Sequence, residues 1–443
     1  MICAGIPSLG TAESPLLPHV EIEETVYEPL PANNGAGPLW CYGSTCIVRR
    51  GDDVFVSGLE TLPDAKPLNN CRWLLFQRKP DGWHLVQRDE TGRQREPCPL
   101  GIYNNGHIFL STNPTLAPPD AYAGPANPHL VRFSAADPAE PPIALQPIWS
   151  AEPGFSEHSY RGLGVDGPNG ELVLLNIFAH EGQYWAFLDR RGLWTNRSVI
   201  LFPIRGCYPQ VALVNRVCHV LAIGDIVEPV EEWRKWKFET TKREWDYVFR
   251  RLFYAWNPDI AAEQFAKPLE IDNLDATAGH ITNLDLWVDA QGDAHVLYRK
   301  STVQSAAMRD RFFPGLPIVH SLERCVLREG RVLARHTLLA GGEKGSPEVP
   351  GWARFHATPD GRLFMFYHVS GTDSTGAPLN ENRLVEVFAD GTCSTPATVP
   401  LKEPLTNFMT ATERGGSPPS FILDLLGSAR GPALRYVRLR LAE

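Results

Sequence analysis

A hairpin signal recurring along almost the whole chain restricts the fold more than any other feature. A β-rich run leads into a tight turn of Asn, Asp or Gly, and a second β-rich run follows. The first units are Cys46–Val56 around Gly51 and Gly101–Leu110 around Asn105-Gly106, followed by Gly164–Leu175 around Asn169-Gly170 and Val211–Leu221 around Asn215. Leu286–Tyr298 around Gly292 and Phe355–Tyr367 around Asp360-Gly361 continue the series, and a weaker seventh spans Met409–Leu425 around Gly415-Gly416. Asn-Gly and Asp-Gly between β-rich runs are strong hairpin signals, because the tightest turns need residues that tolerate positive φ.

The seven turns are 45 to 77 residues apart. That spacing fits four-stranded blades joined by loops of variable length. Second hairpins supply the outer pairs, as where Trp73–Gln77 and Trp83–Gln87 flank Pro80-Asp81-Gly82. The seventh unit has only three candidate strands after Leu405, and the alternating segment Val20–Tyr27 can supply the fourth. The expectation is an all-β, seven-bladed β-propeller, a single domain over residues 1–443, closed by an N-terminal strand that completes the last blade. Sharing one blade between the two ends removes exposed sheet edges. Pro229–Trp256, rich in charge and carrying Trp233, Trp236 and Trp245, breaks the pattern. It reads either as a charged rim insertion or as a basic, Trp-rich lip over a sugar site.

Composition narrows the function. With 43% hydrophobic and 21% charged residues the chain is globular, and a net charge of −9 argues against a nucleic-acid partner. No run approaches the ~18 apolar residues of a membrane helix. The first residues lack a basic head and a continuous apolar core, so no signal peptide is visible. The compartment is therefore left open: secreted or periplasmic if a leader has been removed, cytoplasmic otherwise. Nine scattered cysteines make no disulfide framework and are expected as buried thiols. A monomer is expected.

The innermost strand of each propeller blade faces the axis, so polar residues in or just before those strands are the chemical candidates. They include Tyr42, Asn104, His158, Tyr160, Arg161, Tyr208, His280, Asn283, Arg354 and His356, with Glu157 and Asp285 the obvious acids. Each has a structural alternative: a hydrogen-bonded histidine, a tyrosine packed under a neighbouring blade, an arginine bridging blades. Glycoside hydrolysis in its common form needs two carboxylates in a fixed pair. Proton abstraction beside a uronate carboxylate needs instead a base such as His or Tyr, a proton donor for the leaving oxygen, and a cation. The inner positions match the second inventory in type. Phosphate-loop, zinc-protease and nucleophile-elbow motifs are absent, and the one GxGxxG match, Gly162–Gly167, runs into a β segment and not a helix. No ligand spacing argues for a metal and no cofactor is expected, with a structural calcium or zinc ion left open.

The segments HSYRG (158–162), CYPQVALVNRVCHVLAIGD (207–225), GHITNLDLWVDAQGDAHVLYR (279–299) and ARFHATPDGRLFMFYH (353–368) carry a resemblance. Through them the chain resembles the sialidase-like BNR propeller superfamily, and most of all the ulvan lyases and related α-L-rhamnosidase propellers. The resemblance implies a carbohydrate-active enzyme cleaving an acidic, uronate-containing poly- or oligosaccharide by β-elimination. It implies His158 or His280 as base, Tyr160 or Tyr208 as acid, and Arg161 with Arg354 as the carboxylate clamp. His356, Asn283, Tyr42 and Asn104 would be further substrate contacts. In the rhamnosidases a histidine on the opposite mouth is implicated, so the choice of face stays open. The alternatives are a rhamnosidase- or sialidase-like glycoside hydrolase and a non-catalytic carbohydrate-binding propeller.

Overall fold

Each of the seven turns picked out above has a residue in left-handed backbone (Gly51, Gly106, Gly170, Asn215, Gly292, Gly361 and Gly416), from φ 49° at Asn215 to φ 89° at Gly106. They join the first and second strands of seven antiparallel blades, so each sequence unit is one blade. The computed structural model describes residues 16–150, 154–178, 182–196, 198–244 and 246–441. From blade 1 to blade 7 the inner strands are Ile47–Arg50, Leu100–Ile102, Gly162–Asp166, Gly206–Val214, His280–Val288, Glu348–Ala357 and Asn407–Thr410. The molecule is a seven-bladed β-propeller.

Blade 7 takes its outermost strand, His19–Tyr27, from the other end of the chain. That strand pairs antiparallel with Leu434–Arg440 in a register running from His19 opposite Arg440 to Tyr27 opposite Leu434. It also grips blade 1. The Tyr27 ring stacks on Phe76 at 4.9 Å, its hydroxyl accepts the Leu59 N–H at 2.8 Å, and Glu24 pairs with Arg78 at 2.8 Å. A Cβ on Gly58 would lie 2.8 Å from the Tyr27 ring, so the glycine is what admits the phenol. Tyr27→Ala is therefore expected to cost about 3–5 kcal/mol, read as a lowered urea midpoint. An unchanged midpoint would mean that the closing strand is not held through this side chain.

Elsewhere the blades pack face to face through branched and aromatic residues. Val173, Leu175, Trp185 and Phe187 of blade 3 meet Val211, Leu213 and Val220 of blade 4. Each fully buried side chain of this kind contributes roughly 1.5–3 kcal/mol. Gly162 and Gly164 face Val211, where an added Cβ would stand 2.8 and 2.6 Å away. The GxGxxG match is thus the signature of close blade packing. Eight cysteines fall among the described residues, all free thiols and all buried except the half-buried Cys393; Cys3 lies outside them.

The insertion into blade 4 is shorter than 229–256, because Arg251–Asn257 is the blade's own third strand. What remains is a helix, α1 (Glu231–Thr241), and a two-stranded ribbon of Ile226–Val227 with Tyr247–Val248. A second helix, α2 (Ala306–Phe312), lies in blade 5. Trp233 and Trp236 pack on α2, touching Phe312 at 6.2 and 5.4 Å, and Lys237 is held by Glu228 and Asp246, both at 2.9 Å. These groups brace two blades together and do not form a lip over a sugar; Trp245 lies outside the described residues. No helix among the described residues is long and apolar enough to cross a membrane.

Candidate active site

The hub is occupied by the chain itself. Between the closing strand and blade 1, Cys41–Thr45 crosses the axis and meets every other blade. Thr45 O accepts from Leu100 N of blade 2 at 2.8 Å, and Ser44 Oγ from Leu163 N of blade 3 at 3.1 Å. Gly43 presses on blade 4, where a Cβ would lie 2.3 Å from the Tyr208 carbonyl oxygen. The Tyr42 hydroxyl donates to Asn283 Oδ1 of blade 5 at 3.2 Å, and its carbonyl accepts from Arg354 of blade 6 at 2.7 Å. Thr45 Oγ1 donates to Thr410 O of blade 7 at 2.8 Å. From the opposite end, the turn Glu413–Gly415 and the residues after it close the second mouth. There Arg414 donates to Gly43 O at 3.1 Å and pairs with the buried Asp285 at 2.7 Å, while Ser417 Oγ accepts from Arg49 N at 3.0 Å.

This explains the polar inner strands. Irregular backbone buried on the axis must have its N–H and C=O groups satisfied, and the inner polar side chains do that. Arg354, 2% exposed, spends its guanidinium on the carbonyls of Tyr42, Leu284 and Phe408. Arg161, 1% exposed, donates to Ser159 Oγ at 2.7 Å and to the carbonyls of Glu96 and Pro97. Asn283 donates to Tyr208 O at 2.8 Å. All three are hub braces in this geometry, and the pairing of Arg161 with Arg354 as a clamp at the surface is not formed. His356 and Asn104 lie at the far ends of their inner strands, on the opposite face. His356 donates from Nε2 to Ser420 O at 2.6 Å, and exposed Asn104 accepts from Arg50 through its carbonyl at 2.9 Å.

The first mouth gathers the remaining candidates around an aromatic cluster. Trp40 contacts Tyr160 at 4.9 Å and Tyr208 at 5.4 Å, and the two tyrosines meet edge to face at 5.0 Å. Tyr42 stacks on Tyr208 at 4.6 Å and abuts Trp352 at 5.0 Å. His158 lies parallel to Tyr160 at 6.3 Å, whereas His280 reaches Tyr208 only through Phe249, which touches the two at 5.8 and 6.1 Å. Beside the cluster is a shallow cleft of about 400 Å³ lined by Trp40, Tyr42, Tyr208 and Trp352.

Two buried carboxylates set the local backbone. Glu96 accepts the N–H groups of Ser159 and Tyr160 and the Ser159 hydroxyl, the last at 2.6 Å. Asp225 accepts Arg205 and the Tyr160 hydroxyl, the latter at 3.4 Å. Tyr160 (φ 38°) and Tyr208 (φ 49°) both hold the left-handed conformation, Tyr208 at a bulge where Cys207 and Gln210 break the register. Strain of this kind in large side chains concentrates at functional sites. Arg205 lies over the Tyr160 ring at 5.8 Å, and Arg95 lies over Trp40 at 5.0 Å while donating to His158. The sequence reading missed Trp40, Glu96 and Asp225; in the polar run Arg93-Gln94-Arg95-Glu96 before blade 2 nothing local singles out Glu96.

Burial pushes the Tyr42, Tyr160 and Tyr208 hydroxyls well above the ordinary phenol value, so all three are neutral proton donors. The Tyr208 hydroxyl makes no hydrogen bond to any described residue. Burial, reinforced by Arg299 and Arg250, lowers His280 to about 4, leaving a neutral imidazole. Elsewhere, burial lowers His219 and His356 to about 4. Both refuse protons that the unfolded chain accepts, so their stabilisation is full above pH ~6.5 and is lost as the pH falls toward 4, by roughly 3 kcal/mol each. A urea midpoint that falls steeply between pH 7 and 4.5 is expected; equal midpoints would contradict it. No group of three His, Cys, Asp or Glu side chains among the described residues is placed to hold a metal ion.

No family model matches the chain, and no curated protein matches it either. Solved structures do. One is the polysaccharide lyase Uly1, at 10% identity and a TM-score of 0.47, covering 90% of this chain and 89% of that one. Another is the α-L-arabinofuranosidase Arb93A of Fusarium graminearum, at 10% identity and 0.46, covering 95% and 97%. A third is a puromycin-hydrolysing peptidase of Mycobacterium tuberculosis, at 13% identity and 0.48, covering 94% of this chain and 53% of that one. At such identities the likeness concerns the fold alone.

Proposed function

We propose that the chain is a carbohydrate-active enzyme that cleaves a uronate-containing poly- or oligosaccharide by β-elimination at the aromatic mouth. The observation that carries this reading is the contiguous His158–Tyr160–Tyr208 cluster, with Arg205 beside it and aromatic faces around it. Tryptophan and tyrosine faces suit pyranose rings. Tyr208, neutral and with its hydroxyl uncommitted, is the proton donor to the leaving oxygen, and His158 is the base that removes the proton beside the uronate carboxylate once substrate displaces the Arg95 N–H from its ring nitrogen. Arg205, shared with Asp225, neutralises that carboxylate. Tyr160, tied to Glu96 and Asp225, positions the pair. Glu96 and Asp225 are both committed to internal partners, so these two do not make a ready carboxylate pair for the hydrolytic alternative. The resemblance of segments 158–162 and 207–225 to ulvan lyases points the same way.

The test is to incubate the protein with ulvan, glucuronan, a heparinoid and rhamnose–glucuronate oligosaccharides, following short-wavelength ultraviolet absorbance and reducing ends together. Elimination gives both, because the new non-reducing end is a conjugated unsaturated uronate. Reducing ends without absorbance would replace this reading with hydrolysis, and neither signal would leave a binding propeller.

A further inference from the structure

On the face opposite the aromatic mouth, a cleft of about 530 Å³ opens between blades 2 and 3. Its walls are the Asn104-Asn105 turn of blade 2 and the Pro168–Gly170 and Asp189–Gly192 turns of blade 3. Trp194 supplies aromatic surface, and beneath it the buried Tyr103, packed on Phe109, has a hydroxyl with no hydrogen-bond partner among the described residues. The charge balance is unlike that of the whole chain, which carries −9. Arg132, Arg190 and Arg191 line the cleft against a single carboxylate, Asp189, which is taken by Arg191 at 2.9 Å. Arg132 and Arg190 make no side-chain hydrogen bond or ion pair with any described residue. Behind the floor, Glu171 is neutralised by Arg216 at 2.8 Å, and Asp166 accepts Asn215 N at 2.7 Å.

We infer that this cleft is a second, non-catalytic binding site for an anionic saccharide unit. Two uncommitted guanidinium groups meet a carboxylate or sulfate, the Trp194 ring meets the apolar face of a pyranose, and the asparagine amides meet hydroxyls. The choice of a saccharide over other anions rests on the function proposed above. A polymer held here would stay tethered to the face away from the mouth, raising its effective concentration there.

The experiment titrates a glucuronate tetramer into the wild-type protein, Arg132→Gln/Arg190→Gln and Tyr208→Phe, with a neutral glucose tetramer and inorganic phosphate as further probes. The expected result is two classes of site in the wild type. The arginine double variant should lose one of them, by at least about tenfold in affinity, as expected for lost charge-assisted hydrogen bonds. It should keep the wild-type thermal midpoint and wild-type turnover of a short substrate. Tyr208→Phe should keep the cleft affinity. Unchanged binding in the double variant, or a neutral tetramer or phosphate bound as tightly as the glucuronate tetramer, would overturn the inference. Cleft binding in the absence of any elimination activity would defeat only the reading of the mouth.

Discussion

Replacing Tyr208 with Phe is expected to lower elimination by on the order of 10²-fold or more without moving the urea midpoint. The two halves of that expectation have separate causes. The ring is fixed by stacking on Tyr42 and by edge contacts with Trp40 and Tyr160, all of which phenylalanine preserves. Its hydroxyl bonds to no described residue, so removing it leaves no partner unsatisfied. Burial holds the phenol protonated, which suits a donor and not a base. Tyr160→Phe differs, because it strips a hydrogen bond from Asp225 and should affect folding as well as rate. Parallel kcat and denaturation measurements separate the two. Full activity in Tyr208→Phe would remove this residue from the chemistry.

Glu96→Ala should be among the most damaging single changes to stability, at about 3–5 kcal/mol. The carboxylate is fully buried, accepts two backbone amides and the Ser159 hydroxyl, and stands 3.8 Å from Arg95. Its loss strands two buried amides at once, removes the counter-charge beside Arg95 and frees the left-handed turn at Tyr160. Turnover should therefore fall together with the unfolding midpoint. Glu96→Gln retains volume and one acceptor and should lie between. A Glu96→Ala protein as stable as the wild type would show that the turn is held by something else.

Much of the ring was legible because its signals are local. A residue that must hold positive φ, as at Gly106 or Gly361, announces itself in sequence, and so does the alternation of Val20–Tyr27. The hub was not legible, because nothing local reveals that Cys41–Thr45 lies on the axis. Arg161, Asn283 and Arg354 were therefore read as facing substrate, when the same polarity serves buried backbone. The Trp233 and Trp236 pair was ambiguous for a related reason. Its partner helix is some 70 residues further on, and only the tertiary fold shows that these rings are already covered.

The crossing of Cys41–Thr45 through the hub also orders events during synthesis. This segment hydrogen-bonds to Thr410 and Arg414, and the strand just before it needs Leu434–Arg440 as its neighbour. A nascent chain emerging from the ribosome can assemble individual hairpins, yet His19–Tyr27 must wait for Leu434–Arg440 before it finds its sheet neighbour. Ring closure should thus be a late, all-or-none clasp, and a chain stalled before Leu434 would leave His19–Tyr27 without its neighbour, an open strand edge and ready bait for chaperones.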